Sequence, residues 1–98
     1  MASIPIAPAY GSELSSVSAA AADTLILAAN DDRKGAIFYN DSTADLYLAL
    51  GNVTSSTTNF TIKIPSYGSF ILEPWNYVGM VRGIWSAATG SVRITELY

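Results

Sequence analysis

The stretch FYNDSTADLYLALGNVTSS, Phe38 to Ser56, decides the fold. Asn40, Asp41, Ser42 and Asp45 gather there between two apolar runs, as the side chains of a small active site would. The flanking pattern gives the other reading. In "DLYLAL", Leu46, Leu48 and Leu50 fall on one face and Tyr47 and Ala49 on the other. That period of two belongs to a half-buried strand. Tyr39 ends one strand and Leu46 starts the next, so the polar residues form a turn. Asp41 and Ser42 are expected to satisfy backbone donors that the ladder leaves unpaired.

The same period runs outward along the chain. "NFTIKIP" sets Phe60, Ile62 and Ile64 against Thr61 and Lys63. "SVRITEL" sets Val92 and Ile94 against Arg93 and Thr95, and "GMVRGIWS" sets Met80, Arg82 and Ile84 against Val81 and Trp85. "GAIFYN" and "GSFILE" are apolar on both faces, as a strand covered on both sides would be. Turn clusters separate these runs: "NDDRKG", "NDST", "GNVTSSTT", "PSYG", "EPWNY" and "ATG". The alanines of "LSSVSAAAAD" favour helix, but its serines and valine do not, and it reads as an irregular first strand. About eight strands result, near 14–19, 23–29, 35–40, 45–50, 58–64, 68–73, 79–86 and 90–96. Their close spacing and short links predict an all-β fold: a single antiparallel β-sandwich over residues 13–98, jelly-roll or Ig-like. Residues 1–12 hold Pro5, Pro8 and a glycine and read as an extended N-terminal arm with apolar Ile4, Ile6 and Tyr10.

Composition excludes several classes. Half of the 98 residues are hydrophobic and only 13% are charged, so the chain is not disordered. So few charges point to a surface partly covered by neighbours. The net charge is −3 and the basic residues Arg33, Lys34, Lys63, Arg82 and Arg93 are scattered, which argues against nucleic acid as a partner. Cysteine and histidine are absent. Thiolate zinc sites, thiol nucleophiles and triads built on histidine are therefore impossible within this chain. The N-terminus has no basic leader pattern, and "AAAADTLILAA" is too short to span a bilayer. The expectation is a chain made in a cytoplasm, with no membrane partner.

The remaining candidates for chemistry are weak. Asp31 and Asp32 share one loop, Asp41 and Asp45 another; together they invite comparison with a two-carboxylate hydrolase or a Ca²⁺ site. Neither pattern is completed, and aspartate at a turn caps local backbone. Asn40, Asn52 and Asn59 begin N-glycosylation tripeptides of the kind that a Ser- and Thr-rich chain contains by chance. Arg33-Lys34-Gly35, its charge cancelled by two preceding acids, reads as a polar corner that could pair ionically with a partner, or simply as a solvated turn. "EPWNYVG" places Trp75, Asn76 and Tyr77 in a loop, where aromatic rings stack on sugars or anchor interfaces. Trp85, on a strand, belongs to the core.

Taken together, Arg33-Lys34-Gly35, Tyr39-Asn40-Asp41-Ser42 and Gly83-Ile84-Trp85-Ser86 resemble a group of small virion proteins of tailed bacteriophages, over about residues 24–97. The chain departs from that group in Asp31 and Asp32, where a turn proline is expected, and in its long arm. The resemblance implies a structural role in the particle without catalysis, as head decoration, cement or tail component. Of these we expect a capsid cement or decoration protein, with no metal or cofactor, on the head rather than the tail, whose partners are the major capsid protein and neighbouring copies of the chain as a dimer or trimer. The expected contacts are Ile4, Pro5, Ile6 and Tyr10 of the arm and Trp75, Asn76 and Tyr77 of the loop. The alternative reading is a carbohydrate-binding or receptor-binding β-sandwich module of a head or tail fibre.

Overall fold

In the computed structural model, residues 8–72 and 77–98 are described. They form eight strands: β1 (Ser12–Ser18), β2 (Thr24–Leu27), β3 (Gly35–Asp41), β4 (Leu46–Leu50), β5 (Ile62–Ile64), β6 (Ser69–Leu72), β7 (Val81–Trp85) and β8 (Ser91–Leu97). One four-stranded sheet has the order β1-β8-β3-β6 and the other β2-β7-β4-β5. Every pairing is antiparallel. The pairs β1:β8, β2:β7, β3:β6 and β4:β5 are nested, like one long hairpin with its tip at β4–β5. Rolled over once, that hairpin brings β8 beside β3 and β7 beside β4. This is the jelly-roll arrangement of a β-sandwich, and it chooses between the two topologies that the sequence left open.

The core follows the alternation. Phe38, Ala36, Val92, Ile94 and Leu72 point inward from one sheet, and Leu46, Leu48, Ile64, Val81 and Trp85 from the other. Gly83 sits among them because a side chain there would run into Ile26 and Leu46. Packing of this kind excludes water from both inner faces, and each buried large side chain contributes about 1.5–3 kcal/mol.

Two expectations need correction. Phe60 was expected beside Ile62 and Ile64 on one face of a strand from residue 58. The strand begins only at Ile62. The Ser56 hydroxyl accepts from the Asn59 amide at 2.9 Å, and the Thr61 hydroxyl accepts from the Leu50 amide at 3.0 Å. Such local bonds compete with the ladder. Phe60 is half-exposed and meets the outward-facing Tyr47 edge-on, with ring centroids 4.9 Å apart. Arg33 was expected in a solvated corner, but it is fully buried.

The turn that opened the reading is a polar knot. The Asn40 side-chain amide donates to the carbonyls of Ala44 (2.8 Å), Ile64 (3.0 Å) and Pro65 (3.1 Å). Its carbonyl accepts from the Trp85 indole at 3.3 Å. Ser42 does what was expected of it, accepting from the Ala44 amide at 2.9 Å. Asp41 instead pairs with Arg93 across the sheet at 2.8 Å. Gly90 closes the knot with φ of 78°, and any β-carbon there would strike the Asp41 carbonyl and Ser42. Gly90→Ala combines a left-handed backbone with that collision. It should lower stability by at least about 1–3 kcal/mol, read as a lower urea midpoint with an unchanged slope.

Candidate interaction surface

The candidate chemistry divides between the two ends of the sandwich. Asp31 and Asp32 precede β3, and Asp41 ends it. Seven residues of extended strand separate the two loops by about 20 Å. The four carboxylates therefore cannot share one ion or one sugar bond. Asp45 pairs with Lys63 at 3.4 Å. Among the described residues, no three acidic, histidine or cysteine side chains gather where a metal ion would sit. Asn40 spends its amide inside the chain, so its glycosylation tripeptide is inaccessible in the folded state.

The basic residues are similarly occupied. Arg33 donates from Nε to Glu96 at 2.7 Å, from Nη1 to the carbonyls of Tyr77 (3.2 Å) and Gly79 (2.9 Å), and from Nη2 to Ala28 (2.5 Å). Arg82 donates to Asp23 through Nε at 2.8 Å and Nη2 at 2.5 Å. Among the described residues, Arg93 and Lys63 complete four ion pairs from the five basic residues, and no cationic face for phosphate forms.

Asp23 also accepts from the Ser55 hydroxyl at 2.5 Å and its amide at 2.9 Å, pinning the long β4–β5 loop to the start of β2. Arg82 first, then Ser55, holds the Asp23 carboxyl well below the usual carboxylate range, against the opposing effect of burial. These groups are partners of one another.

One sheet face carries an apolar row that no described residue covers. On the outer side of β1-β8-β3-β6, Leu14 stands opposite Thr95, Thr95 opposite Ile37, and Ile37 opposite Ile71. Three strand spacings make this row about 14 Å long. Leu14 is 76% exposed, Ile71 51% and Ile37 38%. The next row adds Tyr39, also open to solvent, beside Arg93. The doubly apolar β3 and β6 segments were expected to be covered on both sides. Among the described residues, the chain covers only one side.

Of the expected contact residues, Ile4, Pro5, Ile6, Trp75 and Asn76 lie outside the described residues. Tyr10 is 92% exposed, while its amide and that of Gly11 both donate to the main-chain oxygen of Tyr98, at 2.8 and 2.6 Å. Tyr77 is turned inward. Its ring packs against the core and its hydroxyl donates to the Met80 carbonyl at 2.6 Å. Trp85 is in the core, as its strand position implied. Ile37 and Ile71 were not among the expected contacts; the signal for them in the sequence is their doubly apolar strands. Among the described residues, no helix is long and apolar enough to cross a membrane. No protein-family model, curated protein or solved structure compared with the chain matches it.

Two outcomes follow from the charged groups. Removing Arg33 while Glu96 stays buried should cost about 3–5 kcal/mol, so Arg33→Met should unfold at a much lower denaturant midpoint. The second outcome concerns acid. Because the folded carboxyl of Asp23 binds its proton less readily than the unfolded one, its contribution is complete above the ordinary carboxylate pKa. It declines as pH falls below about 4. Asp23→Asn should therefore flatten the acid limb of a stability–pH curve, as well as lowering stability near neutrality.

Proposed function

We propose that the chain is a non-enzymatic structural protein of a tailed-bacteriophage virion. Within that class it is a capsid cement or decoration protein that binds and stabilises the shell of the major capsid protein. It is made in the host cytoplasm and ends on the phage head, with copies of itself and the shell as partners. One observation carries this reading: the apolar row Leu14, Ile37 and Ile71, aligned across one sheet face and covered by none of the described residues. A monomer gains nothing by leaving such a row in water, whereas burying it returns about 25 cal/mol per Å² of apolar area. Small contributions of this kind, repeated over a shell, oppose expansion of the particle. The resemblance over residues 24–97 points in the same direction.

The test uses shells assembled without this protein. Ile37→Lys together with Ile71→Glu places opposite charges at directly paired positions, so the sheet keeps a favourable cross-strand pair. The wild-type chain should co-sediment with shells, and the double variant should be retained about tenfold less, with a similar melting temperature. Equal retention of the two, or a map of the intact particle without density for the chain, overturns the reading. Retention on glycans in place of shells supports the carbohydrate-binding alternative.

A further inference from the structure

We infer that β1 is a dimerisation strand, which adds edge-to-edge to β1 of a second copy about a two-fold axis. The inference gives a surface to the self-association in the proposed function and rests on that part of it. Four strands lie at sheet edges: β1, β6, β2 and β5. Natural sheets protect their edges by shortness, bulges, proline or lysine. β6 and β2 have four residues each and β5 has three, and the register of β2 shifts between Leu25 and Leu27. β1 has none of these devices, and the single charge of Glu13 is its only other protection. It runs seven residues in unbroken register, Ser12↔Leu97 to Ser18↔Ser91, and carries neither proline nor lysine. Six of its seven residues are exposed, and among the described residues nothing pairs with its outer side.

The phase of the ladder says what fits there. Gly11 and Tyr98 exchange both backbone bonds, at 2.6 and 3.0 Å, and Ala19 donates to Gly90 at 2.9 Å. In an antiparallel pair such mutual bonds recur at every second residue. Glu13, Ser15 and Val17 therefore turn their backbone groups to β8. Ser12, Leu14, Ser16 and Ser18 offer theirs to the free side.

A second β1 related by a two-fold axis at Ser15 meets this pattern with its own. Leu14 pairs with Ser16 of the copy and Ser12 with Ser18, each a pair of outward-facing groups. Charge selects the direction. Glu13 is the only charged side chain in β1. A parallel, in-register copy would set Glu13 beside its equivalent. The antiparallel copy sets it beside Val17, with the two carboxylates about 13 Å apart. The four serines are small enough to leave the approach open. On the outer face, the two Leu14 side chains become diagonal neighbours within about 7–8 Å. The apolar rows of both copies then lie on one eight-stranded sheet, so dimerisation doubles the face available to a shell.

The experiment uses the purified full chain, with no shell present. Ser16→Pro removes an outward N–H and no β1–β8 bond, a position where an edge strand tolerates proline. Leu14→Lys adds the charge that edge strands use against pairing. The wild-type chain should show concentration-dependent dimers in sedimentation equilibrium. Either variant should weaken them by at least about tenfold while keeping a wild-type-like circular dichroism spectrum. The chain has no cysteine, so a single introduced thiol reports its own neighbours. Ser15→Cys, at the axis, should form a disulfide-linked dimer under mild oxidation. Ser69→Cys, exposed on the β6 edge, should not. A wild-type chain that stays monomeric, variants that dimerise as before, or equal cross-linking at both positions overturns the inference. None of these results bears on co-sedimentation with shells, which tests the proposed function separately.

Discussion

The sandwich depends on one buried charge. The guanidinium of Arg33 has no solvent exposure, and four hydrogen bonds join it to Glu96 on β8, to Ala28 after β2, and to Tyr77 and Gly79 before β7. Three parts of the chain that are remote in sequence therefore meet on one planar group. Lysine would not replace it, because a point charge cannot address a carboxylate and three carbonyls from one rigid fork. Its weight is decided by comparison. A domain of this length has a net stability of roughly 5–15 kcal/mol, and an orphaned buried charge costs about 3–5. A single side chain thus controls a large fraction of the margin. Asn40 plays the neutral counterpart at the other end of β3, joining the β3–β4 turn, the β5–β6 turn and Trp85. With both ends held by buried polar groups, the strands between them need supply only apolar packing.

This division explains what the sequence made legible. Strand positions were readable because side-chain alternation is local, and Leu46, Leu48, Val92 and Ile94 lie where their spacing puts them. The antiparallel sandwich followed from short links. The role of Arg33 was hidden because the neighbouring acids in "NDDRKG" suggest a locally balanced corner, while its true partner is 63 residues away. Asn40 was hidden for a similar reason: two of its three acceptors, Ile64 and Pro65, come from the end of β5 and the residue after it. Phe60 was misplaced because side-chain bonds at Ser56 and Thr61 outcompete a strand whose apolar pattern is otherwise sound. On the candidate surface, Ile37 and Ile71 belong to segments that read as apolar on both faces, which pointed to cover on both sides. That they align with Leu14 in one row depends on β8 lying between β1 and β3, which no local pattern encodes.

The two sheets differ in what they leave outward. On β2-β7-β4-β5, Arg82 is tied to Asp23 and Lys63 to Asp45, and Tyr47 packs against Phe60. These groups satisfy one another and hold the β4–β5 loop in place. On the outer side of β1-β8-β3-β6, among the described residues, Arg93 and Asp41 form the one ion pair, near one end, and the apolar row lies beside it. The long open edge belongs to that same sheet. This coincidence has a physical consequence. Adding a strand at the β1 edge extends the outer face in its own plane, so edge pairing and face burial do not compete for the same atoms. A contact through the face leaves the backbone groups of β1 free, and a contact through the edge leaves Ile37 and Ile71 free. In this way the proposed face contact and the proposed edge contact draw on separate surfaces of one small chain. Neither contact requires the sandwich to rearrange, because the bonds that close it lie at its ends and in the opposite sheet.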